Sequence, residues 1–153
     1  MLLEFAPASI HDLSMAGLLG WHRLVGRWIT AGPHPGIADE VVHGEATFEW
    51  LEDQRCLTQR TLYDHPDVPD ALTVTTVIDG TPSMHYFDAR GTHSEFEVEI
   101  TAEAWRFWSD DPTNPRRWTG TFADGGKTIQ GTFERCLDGV TWTTELEVTY
   151  RRV

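Results

Sequence analysis

The sequence predicts an all-β protein of about ten antiparallel strands in up-and-down order, closed into a barrel and preceded by a short N-terminal helix. Two observations support this fold. Short segments of alternating apolar and polar residues, separated by Gly, Pro and Asp, run through most of the chain. Three hairpins also place like residues opposite each other without adjustment. Closure removes exposed strand edges, so a barrel is the first choice, and a two-sheet sandwich is the alternative.

Length and charge limit the classes of function. A chain of 153 residues fits one domain, 1–153. Its 24 acidic and 12 basic side chains give a net charge of −12, which repels phosphate backbones and anionic lipid. We therefore expect neither nucleic acid nor a membrane as partner. The start of the chain, "MLLEFAPASI", lacks the basic region of a secretory signal, and no apolar run reaches about 18 residues, so a cytoplasmic protein is expected. Cys56 and Cys136 are expected to be free thiols.

The elements follow from local patterns. Residues 11–24, "HDLSMAGLLGWHRL", offer Asp12 or Ser14 as an N-cap before a leucine stripe, which predicts a short helix. The alternating segments predict strands at about 24–31, 41–51, 55–63, 72–79, 83–90, 93–101, 104–110, 116–123, 128–136 and 140–152.

Two segments indicate which side chains point inward. In "HSEFEVEIT" the three glutamates face water, so Phe96, Val98 and Ile100 face the core. In "TWTTELEVTY" Glu145 and Glu147 face water with Thr141 and Thr143. The inward set of that segment is Trp142, Thr144, Leu146 and Val148.

Turn lengths carry this facing from strand to strand, because directly opposite residues of an antiparallel pair share a face. The turns used are Ala102-Glu103, Gly125-Gly126 and Leu137-Asp138. The predicted pairs are Ile100 with Trp105, Val98 with Phe107, Phe122 with Ile129, Gly120 with Gly131, Trp118 with Phe133, Phe133 with Trp142, and Gly131 with Thr144.

The segment "SMHYFDARG" at 83–91 contains the strongest single candidate for chemistry. A turn at Gly91-Thr92 pairs His85 with Val98, and a reversal around Gly80-Thr81 pairs it with Thr76. Both place His85 inside, with Tyr86 and Asp88 outside. A buried imidazole needs a hydrogen-bond partner. His85 is then either a structural histidine held by Thr76, or a group that contacts a ligand or transfers a proton.

The facing of strand 55–63 depends on the preceding turn. A two-residue turn at Asp53-Gln54 turns Leu57, Gln59 and Thr61 inward, whereas a three-residue turn presents Arg60 and its neighbours. We favour Gln59 as the inward polar group, because Leu57 then lies opposite inward Trp50.

The predicted interior is rich in rings, which could fill the barrel, but several inward positions are small and favour a pocket. Gly120, Gly131 and Thr144 should lie side by side, and inward glycines often mark the close approach of a ligand or a ring. An apolar concave space with a few polar groups is the usual small-molecule site. The predicted ligand-binding residues are His85, Thr76, Phe87, Gln59, Phe96, Val98, Phe107, Trp118, Gly120, Gly131, Phe133, Trp142 and Thr144.

Motifs for metal binding, phosphate binding and nucleophilic catalysis are weak. "GGKT" at 125–128 is interpreted as a hairpin turn, since a strand follows it and position 121 is Thr. His43 and Glu45 share a face, but parity turns them outward and no third ligand has metal-site spacing. We predict no metal site and no catalytic nucleophile. The Pro-rich segments "YDHPDVPDA" and "AGPHPGIADE" are long for hairpin connections and could cover a barrel mouth or simply pack on the surface.

The first and last strands carry a family resemblance. "LVGRWITAG" contains Gly26-x-Trp28, and the chain ends near Arg151 and Arg152. With ten strands, this resembles the calycins, which include lipocalins and fatty-acid-binding proteins. The resemblance implies that Trp28 plugs one barrel end and one of the two arginines packs over it.

Longer segments are similar to a group of bacterial lipocalin-like proteins of unassigned function. They are "GEATFEWLEDQRCLTQRTLYDHP", "MHYFDARG" and "WTGTFADGGKTIQGTFERCLDGVTWTTELEVTYRRV". The nitrobindins, more distant calycins, bind haem through a histidine late in the chain. No histidine follows His93 here, so neither haem nor another cofactor is predicted.

The predicted function is binding of a small, mainly apolar or aromatic molecule inside the barrel, with His85 fixing its orientation. One alternative is an enzyme that uses His85 as acid or base for an isomerase- or cyclase-like proton transfer, although enzymatic activity is the less favoured interpretation. Another is a filled barrel with a structural or oligomerising role. The expected partner is the small-molecule ligand, and a homodimer stays open.

Overall fold

The computed structural model describes residues 20–51, 55–77 and 81–153. Residues 20–22 form one helical turn, which is the described part of the helix predicted at 11–24. Asp12 and Ser14, the proposed N-caps, lie outside the described residues. No helix in the described part of the chain has the length and apolar character needed to cross a membrane.

Ten antiparallel strands follow in up-and-down order, and the first pairs with the last, so the sheet is a closed barrel. The predicted barrel is confirmed and the sandwich is wrong. The strands are β1 (Gly26–His34), β2 (Ile37–Leu51), β3 (Cys56–Tyr63), β4 (Ala71–Thr76), β5 (Ser83–Asp88), β6 (His93–Ile100), β7 (Ala104–Ser109), β8 (Arg116–Ala123), β9 (Thr128–Arg135) and β10 (Thr143–Arg152).

Two predicted hairpin registers are confirmed. Ile100 faces Trp105 across the β6–β7 pair, and Val98 faces Phe107. Across β8–β9, Trp118 faces Phe133 and Gly120 faces Gly131. Short turns of the expected length produce both registers, and "GGKT" lies at the second of them, where residues 124–126 form a single 3-10 turn.

The predicted facing of β2 and β3 is also confirmed. Leu57 and Gln59 are buried, Leu57 lies opposite Trp50, and Arg60 is exposed. His43 points to solvent, and Glu45 accepts a hydrogen bond from exposed Arg27 at 2.9 Å. Both cysteines are free thiols.

One barrel end, which we call the plugged end, is closed by Trp28 and residues 20–24. Trp28 is fully buried, and its indole N–H donates to the Leu24 carbonyl at 2.9 Å. The Arg152 guanidinium lies 4.2 Å from the Trp28 ring centre and donates to the carbonyls of Val25 and Arg23. Of the two terminal arginines, Arg152 therefore packs over Trp28 as the resemblance implies.

The glycine of the Gly-x-Trp motif has a structural reason. Gly26 has φ of +126°, a conformation that side-chain-bearing residues rarely adopt. A Cβ placed on it would lie 2.8 Å from the Arg152 guanidinium. Gly26 thus provides the space in which Arg152 reaches the backbone carbonyls beneath it.

The predicted facing of β5 is wrong. His85 lies opposite Glu95 and Phe87 opposite His93, which places these side chains on the outer face, while buried Met84 points inward. The β5–β6 turn is one residue longer than the assumed two-residue turn, because the Asp88 carboxylate accepts hydrogen bonds from the backbone N–H groups of Arg90 and Thr92. One added residue reverses every side chain of the strand.

The predicted partner of His85 in β4 is wrong for a related reason. Thr76 pairs with Ser83, and their hydroxyls lie 3.1 Å apart. The inward residues of β4 are Ala71, Thr73 and Thr75, since Thr75 is buried and lies opposite Leu57. His85 instead lies opposite Val74 on the outer face.

The predicted β9–β10 register is wrong as well. Phe133 lies opposite Leu146 and Gly131 opposite Val148, not opposite Trp142 and Thr144. The connection between the strands runs from 136 to 142, because the Asp138 carboxylate accepts from the backbone N–H groups of Val140 and Thr141 and holds a wider loop. Trp142 lies outside the strand with its ring 4.0 Å from the Arg117 guanidinium.

The two Pro-rich segments differ from each other. "AGPHPGIADE" is mostly strand, since β1 extends to His34 and β2 begins at Ile37. Pro33 lies beyond the β1–β10 ladder, which runs from Trp28 to Ala31, and it faces Val41 of β2 just before a register shift, which is a position where a strand tolerates proline. Residues 64–70 of "YDHPDVPDA" do form a loop, and Val68 of this loop is buried.

Candidate functional site

A cavity of about 320 Å³ occupies the half of the barrel away from Trp28. It reaches the surface at the barrel end where β1, β5, β8 and β9 carry His34, Asp88, Arg116 and Arg135. We call this the open end. The volume lies within the range of small-molecule sites, which is about 300–1,000 Å³.

Aromatic rings form the inner part of the cavity wall. Trp105 and Trp118 meet at 5.5 Å between ring centres, and Phe107 stacks on Trp118 at 5.7 Å. Phe96 and Phe133 extend the wall around Phe107. Alternation along β6, β7, β8 and β9 places all five rings inward, and the result is an apolar surface suited to another ring or a short alkyl group.

A small polar network lies against these rings. The Gln59 side-chain amide donates to the Tyr150 hydroxyl at 3.1 Å and to the Thr61 hydroxyl at 3.2 Å. The Thr73 hydroxyl donates to the Gln59 carbonyl oxygen at 3.4 Å. Burial raises the pKa of Tyr150, so its hydroxyl stays protonated and remains able to donate.

Tyr86 and Asp88 form a second polar pair. Both side chains line the cavity, whereas the sequence predicts both on the outer face. The Tyr86 hydroxyl donates to the Asp88 carboxylate at 3.1 Å. Burial, followed by the adjacent Asp88 charge, raises the pKa of Tyr86. Burial opposes ionisation of Asp88, but hydrogen bonds from Thr92 and Arg90 outweigh it and lower its pKa. The pair is a neutral phenol beside a carboxylate.

Two arginines face each other at the open end. Arg116 of β8 and Arg135 of β9 are directly opposite in the ladder, and both line the cavity. Arg135 pairs with Glu145 at 3.2 Å, whereas Arg116 forms no ion pair with a described carboxylate. Burial, and then the facing Arg135, lower the pKa of Arg116, although Asp111 and Glu145 act in the opposite direction.

An irregularity in the pairing of β10 explains why the Glu145 side chain lines the cavity. The β9–β10 pairing shifts between Thr144 and Leu146, so Glu145 lies at an irregularity and turns toward the cavity instead of toward water. The open end therefore holds two guanidinium groups and the carboxylates of Glu145 and Asp88.

Several polar atoms of cavity-lining residues have no hydrogen-bond partner in the described part of the protein. Among the described residues, five buried side-chain nitrogens lack a hydrogen-bond partner, and every one belongs to a residue that lines the cavity. They are His34 Nδ1, Trp105 Nε1, Trp118 Nε1, Arg116 Nε and Arg135 Nε. Indole and guanidinium N–H groups can only donate, so four of the five sites call for an acceptor.

The structure brings together only part of the predicted site. The predicted residues that line the cavity are Gln59, Phe96, Phe107, Trp118 and Phe133. The predicted residues that do not line it are His85, Thr76, Phe87, Val98, Gly120, Gly131, Trp142 and Thr144. Val98 is buried in the core beside the cavity, and the strand errors described above displace His85, Thr76, Phe87, Trp142 and Thr144.

The two inward glycines make room for rings of the protein itself. A Cβ on Gly131 would lie 2.0 Å from the Trp118 indole, and one on Gly120 would lie 3.3 Å from the Trp105 ring. An inward glycine can mark the close approach of a ligand or of a ring, and at both positions here a close neighbour is a ring of the protein itself. The absence of side chains at these two positions sets where the inner end of the cavity lies.

The sequence reasoning missed the arginine pair, although a signal was present. Trp118 and Phe133 were predicted to be inward and opposite each other. Two residues further along each strand toward the same end lie Arg116 and Arg135, which must therefore also be inward and opposite. Charge alone points the other way, because charged residues at strand ends are usually solvated.

Comparison with known proteins adds no family assignment. The chain matches no known family description and no curated protein. The barrel is consistent with a calycin-like fold on its architecture, with ten antiparallel strands, up-and-down order and closure between first and last strands.

Proposed function

We propose that this protein is a calycin-like barrel that binds a small, mainly aromatic or apolar molecule carrying an anionic group such as a carboxylate. The observation that supports it best is the cross-strand pair of Arg116 and Arg135 at the open end of the cavity. The rings below the pair would hold the apolar body, and the two guanidinium groups would hold the anion.

The arginine pair favours an anionic ligand for an energetic reason. Like charges directly opposite in a β-ladder destabilise it, and partial burial strengthens their repulsion. Glu145 neutralises Arg135 but leaves Arg116 without an ion pair among the described residues. A bound carboxylate between the two would relieve the repulsion and accept hydrogen bonds in the bidentate geometry that guanidinium groups favour.

The unpartnered indole groups support a ligand with further acceptors. The Trp105 and Trp118 N–H groups are buried and have no acceptor among the described residues. A buried donor without a partner costs about 1–3 kcal/mol. A ligand with a ring oxygen, a carbonyl or a hydroxyl near these indoles would remove that cost, as water could in the ligand-free protein.

The cavity size favours a small ligand. A volume of about 320 Å³ corresponds to about ten water molecules. A ring or two with a short acidic substituent suits this volume better than a long alkyl chain. The alternative of an enzyme that uses His85 as acid or base inside the cavity has no support, because His85 lies on the outer face.

The proposal is tested with matched probes that differ only in charge. Isothermal titration calorimetry compares 2-naphthoate and benzoate with 2-naphthamide and benzamide, and indole-3-acetate with indole-3-acetamide. We expect at least one acid to bind the wild-type protein about tenfold or more tightly than its amide, a difference of about 1.4 kcal/mol. Arg116→Gln should abolish that preference.

A control separates the arginine pair from charge in general. Arg106→Gln removes an outer-face arginine that lies 3.7 Å from Glu99, and it should leave the preference for the acid unchanged. If no acid binds, or if acid and amide bind equally, the proposal is wrong. Native mass spectrometry of the purified protein would in addition weigh any ligand that stays bound through purification.

A further inference from the structure

We propose that His85, His93 and Glu95, on the outer face of the β5–β6 hairpin, form a binding site for a divalent transition-metal ion such as Zn²⁺. Each residue offers one ligand atom, and the three atoms all lie within 4.8 Å of one another. The site is separate from the cavity and independent of the function proposed for it.

The spacing of the ligand atoms fits a tetrahedral ion. His85 Nδ1 lies 3.2 Å from His93 Nε2 and 3.7 Å from the Glu95 carboxylate. Bonds of about 2.0–2.1 Å at a tetrahedral angle separate two ligand atoms by about 3.3–3.4 Å. Small rotations of the side chains would therefore place an ion between the three groups without moving the backbone.

The strand register holds the two imidazoles in place. His85 lies opposite Glu95, and His93 lies opposite Phe87, so all four side chains project from neighbouring positions on one face. The His93 ring stacks on Phe87 at 4.8 Å with an interplanar angle of 3°, and on His85 at 5.5 Å with 12°. Stacking restricts the rotation of both rings, which lowers the entropy cost of capturing an ion.

The chemistry of the three ligands selects the ion. Two imidazoles and one carboxylate suit zinc, copper or nickel, whereas magnesium and calcium favour oxygen ligands alone. The Glu95 side chain is 72% exposed, so water can reach the ion and complete its coordination. Three protein ligands and one water is a common zinc arrangement.

The site would also stiffen one edge of the open end. The turn between its two strands carries Asp88 and Thr92, which both line the cavity. An ion that joins His85 to His93 and Glu95 links the two strands of this hairpin at residues next to that turn. Metal binding should therefore raise the thermal midpoint of the folded protein.

Calorimetric titration of chelator-treated, tag-free protein with Zn²⁺ tests the proposal, and Co²⁺ absorption reports the coordination geometry. We expect one ion per chain and a higher thermal midpoint with Zn²⁺. His93→Ala and His85→Ala should each weaken binding by about tenfold or more, because even the loss of an outer-shell partner costs about 10–100-fold. Glu95→Gln should weaken it as well.

The matched control is His43→Ala, which removes an exposed strand histidine that belongs to no group of three ligands in the described residues. It should bind Zn²⁺ as the wild type does. Metal-free His93→Ala should keep the wild-type circular dichroism spectrum and unfold in one cooperative transition, which shows that the fold is intact. Absence of Zn²⁺ binding, or equal affinity in wild type and His93→Ala, would mean that the two histidines only share a hydrogen bond.

Discussion

The two ends of the barrel use the same residue types in opposite ways. At the plugged end, a tryptophan and an arginine pack together with their N–H groups bonded to the carbonyls of Leu24, Val25 and Arg23. In the other half of the barrel, tryptophans and arginines line a cavity that leads to the open end, and the indole N–H groups of Trp105 and Trp118 have no described acceptor. The tryptophan and arginine donors named at the plugged end therefore have hydrogen-bond acceptors in the protein, whereas several donors around the cavity have none among the described residues and are available to a ligand.

Removing the plug should have the largest effect. Trp28 is fully buried, so Trp28→Ala deletes a large ring and leaves a cavity, which costs about 3–5 kcal/mol of unfolding free energy. Urea denaturation followed by circular dichroism measures it. Trp108→Ala, on the outer face and only half-buried, should cost clearly less. Equal losses in the two variants would show that Trp28 has no special role as a plug.

A smaller loss of unfolding free energy is expected from a substitution at a glycine that packs against a ring. Gly131→Ala places a methyl group within 2.0 Å of the present Trp118 indole, and we expect a cost of about 1–3 kcal/mol. Gly36→Ala is the matched control, since a Cβ there meets nothing within 4 Å, and its effect should stay within about 0.5 kcal/mol. The same denaturation experiment compares them. A neutral Gly131→Ala would mean that Trp118 is free to move.

These glycines illustrate how far the sequence predicted the site. Alternation and short turns were sufficient for the β6–β7 and β8–β9 registers, and so for the rings of Trp105, Phe107 and Trp118. Alternation is a local property of each strand, and short Gly-rich turns allow few lengths. The aromatic half of the cavity was therefore predictable.

The facing of β5 and the register of β10 were not predictable in this way, because side chains set the length of the turns that precede or follow these strands. The carboxylates of Asp88 and Asp138 each accept backbone N–H groups and stabilise a longer connection than the two-residue turn. An aspartate in a turn is compatible with several lengths. One residue of difference moved His85 from the predicted interior to the outer face.

Removing one of the two facing arginine charges at the open end should change the free energy of unfolding only slightly, and any change should be an increase. Arg116→Gln removes one of two facing guanidinium groups and should leave the unfolding free energy of the ligand-free protein unchanged or raise it by up to about 1 kcal/mol. Arg152→Gln at the plugged end should instead destabilise the protein, because its hydrogen bonds to backbone carbonyls are lost. A large loss for Arg116→Gln would mean that Arg116 supports the fold.

Acid should remove a small contribution made by Asp88. Hydrogen bonds lower the pKa of folded Asp88 relative to the unfolded chain, so its stabilisation is complete above the unfolded value, about 4, and is lost as pH falls through the folded value. Asp88→Asn should therefore be less stable than wild type at pH 7, by less than about 1 kcal/mol since the group is partly exposed. The difference should shrink below pH 4. A constant difference would exclude this linkage.

The most direct test of the contrast between the two ends is a ¹H–¹⁵N spectrum of the indole N–H groups during titration with 2-naphthoate, or with whichever acid of the panel binds most tightly. Trp→Phe variants assign the signals. We expect the Trp105 and Trp118 signals to shift on binding, because both rings line the cavity and their N–H groups have no described acceptor, and the Trp28 signal to stay in place, because it is bonded to the Leu24 carbonyl. Unchanged Trp105 and Trp118 signals at saturation, or a shift confined to Trp28, would contradict the account.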